Sequence, residues 1–148
     1  MSESSCVFCE IAAGRGEASV VHQDEHVMAF MDLRPVTRGH LLVVPTAHSV
    51  GLEDLGDAVG ERVWSLARRM ARTMRRSSIP CEGINLLLCD GEVAFQTVFH
   101  VHLHVIPRTR DDGWTLPSAP QPQDRAPLDA DARSLRAALS PAVPETAF

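Results

Sequence analysis

Residues 96–108 read QTVFHVHLHVIPR, and three of the chain's seven histidines alternate there with apolar residues. Successive side chains of a β-strand point to opposite faces. The pattern therefore predicts a strand with His100, His102 and His104 on one face and core-facing apolar residues on the other. Three neighbouring imidazolium ions would repel one another, so the histidines must be mostly neutral or bind a ligand. This favours a functional face over an ordinary half-buried strand.

The length and charge of the chain narrow the class of protein. Its 148 residues correspond to one domain. The formal net charge of -5 argues against a non-specific nucleic-acid binder, which usually carries a basic surface, but it permits a small phosphate ligand. No apolar run approaches the roughly 20 residues of a membrane span, and residues 1–5 lack the features of a signal peptide. We therefore expect a cytoplasmic protein with no nucleic-acid or membrane partner.

The four cysteines divide into a pair and two single residues. Cys6 and Cys9 form a Cys-x-x-Cys pair, which in a reducing compartment is more often a metal or redox device than a structural disulfide. A zinc site would need two further ligands from distant histidines. Cys81 and Cys89 are interpreted as small buried apolar residues.

Apolar periodicity predicts an α+β domain with about five mostly antiparallel strands, one long helix and a short N-terminal helix. The long helix is expected from Leu52 to about Arg76, where apolar residues recur at helical spacing. The short helix and the strands that precede the histidine strand are expected at residues 7–13, 19–22, 26–31, 41–45 and 84–89.

The composition changes near residue 110. Prolines at positions 117, 120, 122 and 127 predict an extended arm, with one short helix at residues 129–139. Trp114 is costly to leave in water, so the start of the arm is expected to pack on the domain or on a partner subunit. We thus predict a domain at residues 1–110 and a proline-rich arm at 111–148 whose end is disordered.

Five ordered motifs resemble the histidine triad (HIT) family of nucleotide hydrolases and transferases, in particular its Hint-like bacterial branch. The His-x-His-x-His signature at residues 100–104 is accompanied by motifs from the Cys6 opening to Arg108. These are the Cys-x-Phe-Cys-x-Ile opening, Phe30-Met31-Asp32 with its following proline, Gly39-His40, Pro45 followed by His48, and Gln96-Thr97-Val98. The resemblance implies an α+β HIT fold and a homodimer whose sheets join, with a nucleotide site on each subunit.

The resemblance also implies catalytic roles. His102 would attack the α-phosphate of a purine nucleotide conjugate and form a nucleotidyl-histidine that water then cleaves. His104, Thr97 and Gln96 would donate hydrogen bonds to phosphate oxygens, and His40 would support the triad. The expected substrates are nucleoside phosphoramidates or dinucleoside polyphosphates.

Nucleoside and zinc ligands follow from the same resemblance. Asp32 would accept hydrogen bonds from the ribose hydroxyls. The apolar walls around the base would come from Phe8, Ile11 and Leu33. A structural zinc ion would be held by Cys6, Cys9, His48 and His100.

Two positions depart from the family pattern, and two other function classes stay open. Cys89 stands where the family usually has asparagine, and Phe95 stands where it usually has glycine, which affects the leaving-group side of the pocket.

One alternative function is a non-enzymatic nucleotide sensor, motivated by these departures. The other is a metal-dependent hydrolase in which His100, His102 and His104 jointly bind a catalytic metal.

Overall fold

The computed structural model describes residues 6–116 and 120–139. Residues 1–5, on which the signal-peptide argument depended, and Pro117 and the end of the predicted arm lie outside these ranges. In chain order the elements are α1 Val7–Ala12, β1 Val20–Gln23, β2 Val27–Met31, β3 Leu41–Pro45, α2 Asp57–Met74, β4 Gly83–Leu88, β5 Leu103–Arg108 and α3 Arg125–Ala138, with a 3₁₀ turn at Glu92–Ala94.

The strands form one five-stranded sheet in the order β1-β2-β3-β5-β4. Every pairing is antiparallel, including the β1–β2 hairpin expected from the short polar link between its apolar runs. The predicted α+β fold class and five-stranded antiparallel sheet are thus confirmed. None of the described helices combines the length and apolar character that crossing a bilayer requires.

The sheet is covered on both faces. On one face α2 packs through a stripe of buried residues at helical spacing, namely Val63, Leu66, Ala67, Met70, Ala71 and Met74. On the other face Phe8 and Ile11 of α1 pack on Met28, Phe30 and Leu42. Burying one such side chain contributes about 1.5–3 kcal/mol. All of β3 is buried because both of its faces are covered, as its continuous apolar run predicted.

The prediction of a strand through all three signature histidines was wrong. β5 begins only at Leu103, and residues 96–102 form a loop. The pairing of β5 with both neighbours ends at Leu103, opposite Val43 and Leu88. Beyond that point the Val101 N–H donates to the Ser49 carbonyl at 2.7 Å instead of joining a ladder. The loop nonetheless keeps the side chain of Val101 buried.

The long helix starts five residues later than predicted. Asp54 accepts the backbone N–H groups of Val50 and Gly51, each at 2.8 Å. A short acidic side chain that satisfies nearby backbone donors in this way competes with helix formation. Residues 52–56 therefore belong to the loop before α2, and the helix runs from Asp57 to Met74.

The chain separates into two compact units, residues 1–114 and 115–148. Trp114 is the last residue of the first unit, and the Arg108 guanidinium carbon lies 4.6 Å from the centroid of its ring. In the second unit α3 starts at Arg125, four residues before the predicted helix. Pro127 lies in its first turn, where a missing N–H costs no helical hydrogen bond. A boundary at residue 110 and the packing of the rest of the arm stay predictions.

Candidate active site and metal centre

Three imidazoles gather on the sheet face that α1 covers. His104 is the second residue of β5 and lies opposite Leu42 of β3. Leu42 packs beneath α1, and directly opposed residues of adjacent strands share a face. His40 immediately precedes β3, and its ring centroid is 5.1 Å from that of His104, while the His102 centroid is 4.9 Å from that of His104. The strand register therefore brings together histidines that are 64 residues apart.

The protonated nitrogen of His102 is fixed by a backbone group. Its Nδ1 lies 2.7 Å from the carbonyl oxygen of His100. A carbonyl only accepts, so Nδ1 carries the proton of the neutral ring and Nε2 keeps a lone pair. The ring is buried and lies edge-on to Phe8, with centroids 5.4 Å apart. This is the tautomer that a nucleophilic imidazole needs.

His40 and His104 form a second fixed arrangement. The Val36 N–H donates to Nδ1 of His40 at 3.2 Å, so the proton of His40 is on Nε2. Nε2 of His40 lies 2.9 Å from Nδ1 of His104, which therefore accepts. The proton of His104 is then on Nε2. One backbone amide thus determines the tautomer of two histidines.

The electrostatic environment keeps these rings neutral. Burial lowers the pKa of His102 and of His40, and for His40 the nearby Asp32 carboxylate opposes that effect. Burial, followed by the neighbouring His102 and His40 rings, lowers the pKa of His104 to about 4. At neutral pH the three rings are therefore uncharged, which for His102 and His104 agrees with the prediction from their crowding in the signature.

Asp32 immediately follows strand β2 and lies beside His40. Its N–H donates to the His40 carbonyl at 3.0 Å, and its Oδ1 accepts the Arg34 N–H at 2.8 Å. Its Oδ2 lies 3.4 Å from Nε2 of His40. The carboxylate predicted to bind ribose is thus also a neighbour of the histidine pair, which sequence reasoning missed.

The side chain of Gln96 links backbone groups of neighbouring loop segments by hydrogen bonds. Its buried side chain accepts the Gly91 N–H at 2.8 Å and donates to the carbonyls of Val50, at 2.7 Å, and Val98, at 3.2 Å. These bonds occupy its amide group in this structure, so the predicted phosphate contact of Gln96 stays a prediction. The next residue, Thr97, is exposed, which leaves its side chain open to a ligand.

The three predicted apolar wall residues differ in burial. Phe8 and Ile11 are buried, and Phe8 contacts both His100 and His102. Leu33 is 96% exposed and forms no wall in this structure. A contact of Leu33 with a base stays a prediction.

The side chains of the Cys-x-x-Cys pair converge with those of two histidines, His48 and His100. Nδ1 of His100 lies 3.3 Å from Sγ of Cys6 and 3.6 Å from Sγ of Cys9, and Nδ1 of His48 lies 3.3 Å from Sγ of Cys9. Zinc–sulfur and zinc–nitrogen bonds of about 2.3 and 2.0 Å at a tetrahedral angle place sulfur and nitrogen about 3.5 Å apart. No disulfide joins the cysteines, all four of which are among the described residues. These three sulfur–nitrogen distances thus match the spacing around a tetrahedral metal, and all four donor atoms lie within 4.8 Å of one another.

The described residues contain two groups of metal-ligand side chains, and the ring tautomers distinguish them. The first is the cysteine–histidine group above; the second is Asp32, His40 and His104. Nε2 of His100 donates to the Pro45 carbonyl at 2.8 Å, which leaves Nδ1 bare and facing the thiols. In the second group a metal on Nε2 of His40 would move the ring proton to Nδ1, against the Val36 N–H. The first group fits a metal, and the second does not.

His100 belongs to both sites. Its ring faces the thiols, and its backbone carbonyl accepts the His102 proton. Neither group of converging ligands contains all three signature histidines. The described residues therefore do not support a shared catalytic metal on His100, His102 and His104.

Comparison with known proteins identifies the family. Residues 14–111 match the HIT domain. The chain belongs to the HIT family. An uncharacterized HIT-like protein of Mycobacterium tuberculosis is 37% identical over 135 residues, which cover 91% of this chain and 93% of that protein. The resemblance deduced from the motifs is confirmed.

Solved structures of HIT proteins share the fold. A zinc-bound histidine triad family protein from Mycobacterium smegmatis has a TM-score of 0.74 at 38% identity, covering 93% of this chain and 100% of that one. A histidine triad nucleotide-binding protein from Candida albicans has a TM-score of 0.81 at 25% identity, covering 90% of this chain and 96% of that one. The site geometry therefore lies within an established HIT fold.

Phe95 and Cys89, the two departures from the family pattern, lie in the connection between β4 and β5. Phe95 has φ 71° and ψ 21°, the left-handed region, and its side chain is 79% exposed. Among the described residues it is the one non-glycine with positive φ, at a cost of roughly 1–2 kcal/mol. Glycine would adopt this conformation without strain. Cys89 is buried, and burial raises the pKa of its thiol, consistent with an inert side chain.

Proposed function

We propose that this HIT protein is a nucleotide hydrolase or transferase that acts at the α-phosphate of purine nucleotide conjugates. The substrate class is nucleoside phosphoramidates or dinucleoside polyphosphates, and the reaction proceeds through a nucleotidyl-His102 intermediate. One observation carries the proposal: the His100 carbonyl holds the His102 proton on Nδ1, which leaves the Nε2 lone pair for attack on phosphorus.

The two displacements follow from this tautomer. In the first, Nε2 of His102 bonds to the α-phosphorus while the bond to the leaving nitrogen or oxygen breaks. An amine leaving group also takes up a proton from solvent. In the second, water attacks the phosphorus, the phosphorus–nitrogen bond returns its electron pair to Nε2, and water loses a proton to solvent. Splitting the transfer in this way lowers each barrier.

Two groups stabilise the charges that develop. The first displacement makes the His102 ring cationic, and the His100 carbonyl oxygen, 2.7 Å from Nδ1, stabilises that charge. Nε2–H of His104 is the donor available to a phosphoryl oxygen, because Nδ1 of His104 accepts from His40. Preorganised donors and acceptors of this kind supply much of the catalysis in phosphoryl transfer.

Nucleoside recognition is proposed from the residues around this centre. Asp32 would accept from the ribose hydroxyls, Phe8, Ile11 and Leu33 would contact the base, and Thr97 and Gln96 would serve the phosphate side. The Candida albicans relative, named a nucleotide-binding protein, supports a nucleotide as ligand.

We also propose a structural zinc ion held by Cys6, Cys9, His48 and His100. The zinc-bound Mycobacterium smegmatis relative and the convergence of these four side chains support it. Bound there, zinc would cross-link α1, the loop after β3 and the loop before β5, and would act as a structural ion. Elemental analysis of protein purified without chelators should find one zinc per chain, and absence of zinc would contradict this part.

We also propose that the protein is cytoplasmic and that it forms a homodimer, and the edge of the sheet supports the dimer. β4 pairs with β5 alone among the described strands, and all six of its residues are half-buried. An edge strand of this kind can pair with a second copy and extend the sheet. Light scattering should give twice the 16.2 kDa chain mass, whereas a monomer at micromolar concentration would contradict the dimer.

Turnover measurements test the proposed reaction. Adenosine phosphoramidate and diadenosine polyphosphates should each be assayed for release of the mononucleotide by the wild type, His102→Ala and His26→Ala. His26 lies beside exposed Glu25, away from the triad, and is the matched control. We expect activity in the wild type and control, and a loss of about 10³-fold or more in His102→Ala. Adenosine binding without turnover of either substrate would instead support the sensor.

A further inference from the structure

The solvent face of α2 carries a concentration of positive charge. Residues 62–76 contain six of the chain's 14 basic residues and no acidic residue, so this segment has a formal charge of +6. Since the whole chain has a formal charge of -5, the other residues together carry -11. The expectation of no nucleic-acid partner was based on the overall charge, which averages over these two unlike regions.

Five of these arginines surround a single position, and we call them the arginine face: Arg68, Arg69, Arg72, Arg75 and Arg76. Residues three and four positions apart lie side by side on a helix, and Arg72 has this spacing from each of the other four. All five residues are exposed. Within residues 6–116 and 120–139, no carboxylate forms an ion pair with any of them. The arginine face therefore consists of mutually repelling cations.

The stability of the helix does not explain this arrangement. Like charges three or four residues apart destabilise a helix. The negative end of the helix dipole favours cations only in the last turn, which contains Arg72 but neither Arg68 nor Arg69. The buried stripe of α2 packs on the sheet without them. Residues that break a local rule without a structural benefit are candidates for a function, and an anionic ligand would relieve the repulsion.

Trp64 adds an aromatic surface to the arginine face. It precedes Arg68 by four residues, so it lies on the same side of the helix one turn earlier, and it is 53% exposed. The helical rise places it about 6 Å from Arg68 and about 12 Å from Arg72 along the axis. Single-stranded nucleic acid binds to such a combination, because its bases stack on exposed aromatic rings and its phosphates pair with guanidinium groups.

We propose that the arginine face and Trp64 together form a docking surface for single-stranded nucleic acid. A duplex keeps its base faces inside its own stack, and an acidic peptide has no base to stack, so both would leave the indole without a partner. The docking surface is remote from the proposed nucleotide site, because α2 covers one face of the sheet while Phe8 and the ring of His102 lie at the other. Docking and the proposed reaction are therefore independent of each other.

Fluorescence anisotropy of a labelled 12-nucleotide oligouridylate tests the docking surface on the full-length protein. Five neutralised phosphates should give a slope of about -3.5 when the logarithm of the association constant is plotted against that of the salt concentration. In Arg72→Gln binding should weaken and the slope should become about -2.8. Arg133→Gln removes an exposed arginine of α3 and should bind like the wild type. Equal losses in the two variants, or no binding by the wild type at low salt, would overturn the proposal.

Substitution of Trp64 separates stacking from charge. Trp64→Ala should weaken oligouridylate binding about tenfold through the loss of one stacked base. The salt slope should stay at the wild-type value, because no cation is removed. In Trp114→Phe, Trp64 is the single remaining tryptophan, and oligouridylate should quench its fluorescence. An unchanged affinity in Trp64→Ala would refute a stacking site on α2.

Competitors test the class of partner. A 12-base-pair duplex, a 12-residue polyglutamate and phosphatidylserine vesicles should each bind at least about tenfold more weakly than oligouridylate, since none of them offers a free base to Trp64. Equal or tighter binding of any one of the three would overturn single-stranded nucleic acid as the partner.

Adenosine tests the location of the docking surface and separates this inference from the proposed function. Saturating adenosine, and the His102→Ala substitution, should leave oligouridylate binding unchanged. Displacement of the oligonucleotide by adenosine would assign it to the nucleotide site and overturn docking on α2. None of these measurements depends on turnover, so an inactive protein that binds oligouridylate through α2 would support the docking surface while refuting the hydrolase.

Discussion

The protein uses histidine for different purposes in two clusters. The metal-ligand cluster consists of Cys6, Cys9, His48 and His100, and the reactive cluster consists of His40, His102 and His104. In the metal-ligand cluster, Nε2–H of His100 donates to the Pro45 carbonyl and Nδ1 faces two thiols. In the reactive cluster, Nδ1–H of His102 donates to the His100 carbonyl and Nε2 is left bare. Both rings are buried, burial lowers the pKa of each, and a single residue separates them in the sequence. In each ring, a backbone carbonyl binds one nitrogen and so leaves the other nitrogen available. In His100 the available nitrogen faces the thiols, and in His102 it is free to attack phosphorus.

Substitution of His102 should have the largest effect on activity and little effect on the metal. The His102→Ala variant removes the nucleophile, so kcat should fall by about 10³-fold or more, equivalent to about 4 kcal/mol. Zinc content should stay at the wild-type value, because the thiol-facing ring is that of His100. Elemental analysis beside the turnover assay checks this, and loss of zinc would show that the clusters are not separable.

Substitution of His100 should have its largest effects on zinc content and on the free energy of unfolding. His100→Ala removes a ligand and the ring that bonds to Pro45, so zinc should be lost. The free energy of unfolding should fall by about 3 kcal/mol or more, since a structural metal contributes directly to folding. Urea titrations of His100→Ala and His102→Ala compare the two. An equal, small destabilisation of both variants would contradict a structural role for the first cluster.

The free energy of unfolding should fall in mild acid, because the folded protein keeps His104 neutral. The pKa of His104 is about 4 in the folded protein, against an ordinary value of 6.5. Between these values the unfolded chain binds a proton that the folded chain does not, so stability falls as pH falls from about 6.5 to about 4. The His104→Gln variant should show a shallower decline over that window in urea titrations. Identical pH slopes for the two proteins would refute this assignment.

The smallest effect is expected at Phe95, outside both clusters. Phe95→Gly relieves the left-handed strain but adds unfolded-state entropy, so the net gain should be about 0.5 kcal/mol. Phe95→Ala keeps the strain and is the matched control. Thermal melts should rank glycine above alanine, and the opposite order would mean that the loop conformation at Phe95 is not strained.

Much of the fold could be predicted because it depends on side-chain periodicity. The continuous apolar run of β3 and the helical stripe of α2 each indicated the correct element. The loop at residues 96–102 could not be predicted, because its alternation resembles that of a strand while its backbone bonds to Ser49 rather than to a neighbouring strand. The start of α2 was missed for a similar reason: Asp54 satisfies local backbone donors.

The residue types of both clusters were identified from the sequence and the family resemblance, but their tautomers were not. The deciding partners are the Val36 amide and the Pro45 and His100 carbonyls. Backbone groups are present at every position and leave no signature in the sequence. The contact between Asp32 and His40 likewise depends on how β2 and β3 align at their ends.

The most direct test of the account is to locate the covalent intermediate. Wild-type protein should be mixed with adenosine phosphoramidate, quenched within milliseconds in alkali, digested and examined by mass spectrometry. The account predicts an adenylyl group on His102 alone, with none on the neighbouring His100 or His104. An adduct on either of those residues, or turnover that proceeds with no histidine adduct, would contradict the assignment of His102 as nucleophile.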